Sequence, residues 1–101
     1  MIESTRNPKI QWVRLLNARS RQRREAQAFV VEGVRLVEAA LHAGWPASLV
    51  LVERSLDERG QKVVQGFASQ GAAIEEVSPE VLRAVSDTAT PQGILAVLPL
   101  R

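Results

Sequence analysis

Four apolar runs of strand length punctuate the chain, and between them hydrophobic positions recur at the three-and-four spacing of helices. Ala28 to Val31, Leu49 to Val52, the half-polar Ala72 to Val77, and Ile94 to Leu98 read as strands. After the first, Val34, Val37, Ala40 and Leu41 form a helix stripe that Gly44 closes. After the second, Val63, Val64, Phe67 and Ala68 form another that ends at Gly71, with Ser55 and Glu58 spaced as a capping box. Ser78-Pro79 starts a third helix with Val81, Leu82 and Val85 turned inward. Ahead of this series, Asn7-Pro8 predicts a helix over Pro8 to Ala18: asparagine caps the open N–H groups, and proline in the first turn forfeits no hydrogen bond. On it Trp12, Leu15 and Leu16 share the predicted core face with Ile10 and Val13 beside them, leaving Lys9, Gln11, Arg14 and Asn17 for solvent or ligand.

Strand centres near Phe29, Val50, Ile74 and Leu95 lie roughly twenty residues apart, enough for a crossover helix each time. Continuous apolar runs suit a sheet covered on both faces. The expected fold class is therefore α/β, a three-layer α/β/α sandwich with an extra N-terminal helix. Glu75 and Glu76 interrupt the third run, which places that strand at an edge. A length of 101 residues suits one core, so a basic N-terminal part (residues 1–26) and an α/β part (residues 27–101) are expected to form one compact unit.

Charge changes this picture more than composition does. Up to Arg24 the chain carries Arg6, Lys9, Arg14, Arg19, Arg21, Arg23 and Arg24 against the single acid Glu3, a net of +6; from residue 25 onward six basic residues meet ten acids, a net of −4. Such asymmetry is the footprint of a chain that meets a polyanion with one end. Eleven of the thirteen basic residues are arginine, which grips phosphate bidentately and stacks on bases, whereas lysine would serve mere solubility. RNA is the favoured partner over a simply solvated face. With only Trp12, Trp45, Phe29 and Phe67 as aromatics, mostly on apolar stripes, a single-strand reader built on stacking platforms is disfavoured.

Independent chemistry finds little support. The single histidine, His42, lies in a helix with no nucleophile paired to it, and the absence of cysteine excludes disulfides and thiolate metal sites. The neighbouring carboxylates Asp57/Glu58 and Glu75/Glu76 diverge from one another and read as solvated surface. No catalytic, metal or cofactor site is expected within these residues. Glu32-Gly33-Val34-Arg35 admits two readings: a tight strand-to-helix turn, or a bare backbone that lets a phosphate or base approach the helix start beside Arg35. No stretch reaches the roughly 18 apolar residues of a membrane span, and Met1 to Pro8 has no hydrophobic signal core, so the cytoplasm is the expected compartment.

Four pieces in order carry a resemblance: Ile2-x-Ser4-x-x-Asn7-Pro8-x-Ile10; the arginine stretch; Phe29-Val-Val-Glu-Gly33 with Val34-Arg-Leu-Val37; and Thr90-Pro-Gln-Gly93-Ile94-x-Ala-Val97. Together they resemble the N-terminal substrate-binding domain of SpoU-type (TrmH-type) RNA 2′-O-ribose methyltransferases. The resemblance implies a fold similar to kink-turn-binding ribosomal proteins. It also implies that rRNA or tRNA is met at Glu32, Gly33 and Arg35 and at Thr88, Ala89, Thr90, Pro91, Gln92 and Gly93. Lys9, Arg14, Arg19, Arg21, Arg23 and Arg24 complete the expected RNA-facing set. In that family a knotted domain follows, binds S-adenosylmethionine and forms a homodimer; its motifs are not found here, so a longer parent protein is the expectation. Two alternatives remain open: a stand-alone kink-turn or ribosome-associated protein, and a module whose arginines engage an acidic protein.

Overall fold

A computed structural model describes residues 1–87 and 92–100. Its elements run α1 (Pro8–Ala18), α2 (Ser20–Ala26), β1 (Ala28–Glu32), α3 (Val34–His42), β2 (Leu49–Glu53), α4 (Glu58–Ser69), β3 (Ala73–Val77), α5 (Pro79–Val85) and β4 (Ile94–Pro99). The sheet order is β1-β4-β2-β3. β2 and β3 are parallel, whereas β4 runs antiparallel to both β1 and β2, between which it is inserted. The helical connections predicted from strand spacing thus deliver parallel β1, β2 and β3, but not β4. Register explains this: Glu53 pairs with Val77 and Val52 with Ile94, so β4 begins at the end of the sheet where β3 stops. The half-polar β3 occupies an edge, where Ile2 adds an isolated parallel bridge to Val77.

Alternation along each strand divides the core into two layers. Leu49, Leu51, Leu95 and Val97 face α1 and α5, joining Ile10, Val13, Leu16, Val81, Leu82 and Val85. Val50, Val52, Ile94, Ala96 and Leu98 face α3 and α4, joining Val37, Val63 and Phe67. This is the three-layer α/β/α sandwich expected from the sequence. Each layer is bound by the burial of its aliphatic side chains, about 1.5–3 kcal/mol for a fully buried Val, Leu, Ile or Phe.

Three local expectations need correction. On α1 the buried stripe is Ile10, Val13 and Leu16, while Trp12 is 36% and Leu15 37% exposed. Adjacent stripes of α1 are both apolar, and only packing against α5 and β1 decides which one turns inward. The cap of α4 is Asp57, whose Oδ1 accepts from Gly60 N at 2.8 Å; the Ser55 hydroxyl donates instead to Glu53 Oε1 at 2.7 Å. The arginine stretch is itself helical from Ser20 to Ala26, with no buried residue and with Gln27 in the left-handed region (φ 53°) ending it before β1.

Candidate nucleic-acid interface

The N-terminal cations divide by what they already hold. Lys9 pairs with Glu75 at 2.8 Å and Arg21 with Glu25 at 3.0 Å, one turn along α2. Arg23 is half-buried: its Nη1 donates to Leu16 O at 2.6 Å and to Asn17 O at 3.3 Å, covering two carbonyls that the end of α1 leaves open. Arg14, Arg19 and Arg24 are exposed, and their side chains have no hydrogen-bond or ion-pair partner among the described residues. The same is true of Arg35. Four of the predicted RNA-facing cations are therefore uncommitted, whereas Lys9 and Arg21 hold acids and Arg23 closes a helix.

Other arginines are engaged on the body of the domain. Arg59 holds Glu38 across α3 and α4 at 2.5 Å and 3.2 Å, and this hydrogen-bonded guanidinium draws the Glu38 carboxyl below its ordinary range. Arg54 pairs with Glu76 at 2.9 Å. Glu75 and Glu76 thus do diverge to opposite faces of β3, each bound to a different cation. His42 is exposed at the last turn of α3, and among the described residues no group of acidic, histidine or cysteine side chains could hold a metal ion.

At the end of the sheet where β1 stops and β4 starts, the two remaining predicted segments meet. Gly33 N donates to Ile94 O at 3.0 Å, and Glu53 N donates to Gly93 O at 2.9 Å. Gly33 (φ 90°) and Gly93 (φ 87°) both adopt backbone that disfavours a side chain. A Cβ on Gly33 would stand 2.8 Å from Gln92 Oε1, so the glycine admits the Gln92 carboxamide against the turn. Gly33 is buried and Arg35 exposed. Both readings of this turn hold together: it is a tight strand-to-helix connection, and its bare backbone permits a close approach, in this structure by Gln92. Thr88, Ala89, Thr90 and Pro91 lie outside the described residues.

Both oxygens of Glu32 are engaged. Its Oε1 accepts from Asn17 Nδ2 at 3.0 Å and Asp87 N at 2.7 Å, and its Oε2 accepts from the Ser86 hydroxyl at 2.7 Å. Asn17, assigned by periodicity to solvent or ligand, also donates to Val85 O at 2.7 Å. Asn17 and Ser86 therefore belong to this end of the molecule and were missed in the sequence, where nothing links two positions so far apart. Because Asn17 reaches Glu32, the end of α1 and the following Arg19 lie beside the Gly33 turn. A second group was also missed: Glu53, Ser55 and Asp57 join Val34, Gln92 and Gly93 around an open cleft of about 260 Å³. A hydrophobic period cannot flag such loop residues; only the Ser55-x-x-Glu58 spacing drew attention to the loop.

The family model of the MRM3-like substrate binding domain matches residues 7–96. The chain belongs to this family. As an MRM3-like domain it superposes on an RNA 2′-O ribose methyltransferase with a TM-score of 0.86 at 32% identity, covering 99% of this chain and 37% of that one. An rRNA methyltransferase from Sinorhizobium meliloti gives a TM-score of 0.86 at 24% identity, over 99% of this chain and 36% of its own. The SpoU methyltransferase AviRb from Streptomyces viridochromogenes, in complex with AdoMet, gives 0.78 at 23% identity, over 94% and 34%. The last two speak for the fold alone. The MRM3-like domain spans little more than a third of the length of each. A comparison with curated protein sequences finds no match. The matched residues take in Asn7-Pro8, the arginine helix, Glu32-Gly33 and Gln92-Gly93, so the family agrees with the SpoU-type resemblance carried by those pieces.

Proposed function

We propose that this MRM3-like domain binds a structured segment of rRNA or tRNA and presents it for 2′-O-ribose methylation by a catalytic domain of the same parent protein. The observation that carries the reading is the set of uncommitted cations, Arg14, Arg19, Arg24 and Arg35, on a substrate-binding domain whose Gly33 turn and Gln92-Gly93 segment lie together. Arginine presented without an intramolecular partner is available to phosphate oxygens. Backbone amides, Gln92 and, in the same reading, the Thr88 and Thr90 hydroxyls offer hydrogen bonds to sugar and base edges. Lys9, Arg21 and Arg23 contribute less, because each is already engaged.

S-adenosylmethionine belongs, on this reading, to the other domain. The cleft beside Gln92 is lined by Glu53 and Asp57, and an acidic lining repels the carboxylate of the methionine moiety, so these residues do not fit the cofactor. The parent would work in the cytoplasm and pair through its catalytic domain. Among the described residues, no helix is long and apolar enough to cross a membrane.

The test is RNA binding as a function of salt. A labelled rRNA stem-loop should bind the chain with an affinity that falls steeply as salt rises. Replacing Arg14, Arg19 and Arg24 by alanine should flatten the slope of log affinity against log salt by about 0.7–1 for each phosphate no longer neutralised. Equal affinity and equal slope for parent and triple variant would overturn the proposal.

A further inference from the structure

We infer that Glu32 is a positioning residue, which acts on RNA through the backbone of Asp87 rather than by touching the nucleic acid. The inference rests on the RNA reading above and gives it a specific internal part.

A carboxylate placed next to the Gly33 turn is an obstacle to a polyanion unless its charge serves another purpose. Here three donors from separate elements converge on it: Asn17 from the end of α1, the Ser86 hydroxyl from the residue after α5, and the backbone N–H of Asp87. Asn17 extends the cluster to Val85 O, the last carbonyl of α5. The end of β1, the end of α1 and the chain leaving α5 are thereby joined at one half-buried side chain. Residues 92 and 93, where the described chain resumes before β4, are fixed to the same turn through Gly33 N to Ile94 O and the seat of Gln92 against Gly33. Both flanks of the Thr88–Pro91 segment are thus referred to Glu32-Gly33, one by the carboxylate and one by the glycine. A segment whose ends are held loses less conformational freedom on binding, which raises its affinity for a ligand even when it touches that ligand no differently.

The carboxylate can be replaced by a carboxamide while these bonds are kept. In Glu32→Gln the amide oxygen can accept from Asn17 and Asp87 as Oε1 does now, and the amide nitrogen can donate to Ser86, whose hydroxyl rotates to accept. Glu32→Ala removes the acceptor entirely. The full chain, its two variants and a labelled rRNA stem-loop are compared by fluorescence anisotropy across a salt series, at a temperature where circular dichroism shows all three folded. Amide hydrogen exchange at Asp87 is followed by NMR.

Glu32→Ala should speed exchange at Asp87 selectively and weaken RNA binding about tenfold with an unchanged salt slope, and Glu32→Gln should restore both. If both variants instead bind RNA more tightly than the parent, Glu32 faces the phosphates directly and the inference is wrong. If Glu32→Ala binds as the parent does, it is wrong while the RNA reading stands. Failure of the parent itself to bind RNA overturns the functional proposal, and with it the RNA role of Glu32; unchanged exchange at Asp87 in Glu32→Ala would then remove the latch as well.

Discussion

Arg23→Ala should cost stability, whereas Arg24→Ala should cost RNA affinity, although the two residues are adjacent in a run of like charge. The Arg23 guanidinium donates to the carbonyls of Leu16 and Asn17 at 2.6 Å and 3.3 Å. Removing a charged donor from carbonyl partners costs about 1.5–3 kcal/mol when water cannot replace it. A cation at a helix C-terminus adds about 0.3–1 kcal/mol. Against this, the site is only half-buried, so water recovers part of the loss. The unfolded side chain also regains up to about 2 kcal/mol of rotamer freedom that folding removes, a term absent for alanine. A net destabilisation of about 1–2 kcal/mol remains. For a domain of this length each kcal/mol lowers the melting temperature by about 4–8 °C, so Arg23→Ala should melt roughly 5–15 °C below the parent. Arg24 is exposed and unpartnered among the described residues, and its replacement should stay within about 0.5 kcal/mol of the parent. Thermal and urea denaturation followed by far-ultraviolet circular dichroism, together with RNA binding across a salt series, separates the two effects. Equal melting temperatures for the two variants would refute the assignment of Arg23 to the end of α1.

Two further substitutions check the local geometry. Asp57→Ala should destabilise the fold by about 1 kcal/mol through loss of the α4 cap, while Ser55→Ala should stay within about 0.5 kcal/mol; the order of their urea midpoints decides between the two capping residues. Gly33→Ala should cost about 1–3 kcal/mol, mainly because φ is 90° there, and should displace Gln92, seen as a shift of its side-chain amide resonances.

How far the sequence could be read depended on the range of the interaction in question. Asn7 and Ser78 announce their helices because a cap bonds two or three residues ahead, to Lys9 N and Val81 N, and these are local relations. Ser55-x-x-Glu58 has the same appearance, yet Asp57 takes the cap. Both are polar residues of the same short loop, and hydrogen-bond geometry rather than residue type chooses between them. The face of α1 was ambiguous for a related reason. Five apolar residues in seven positions define no single stripe until α5 and β1 are in place.

Hydrophobic period, helix caps and ordered motifs are properties of neighbouring residues, so the elements, the two-faced burial of the sheet, the basic N-terminal end and the family could all be read along the chain. That β4 enters antiparallel between β1 and β2 could not, because strand order is settled by long-range pairing. Folding likewise divided the arginines into committed and uncommitted groups and gathered Asn17, Glu32, Ser86 and Asp87 into one cluster. The partners of a side chain depend on which distant backbone groups the fold brings within about 3 Å of it, a distance that sequence separation does not encode.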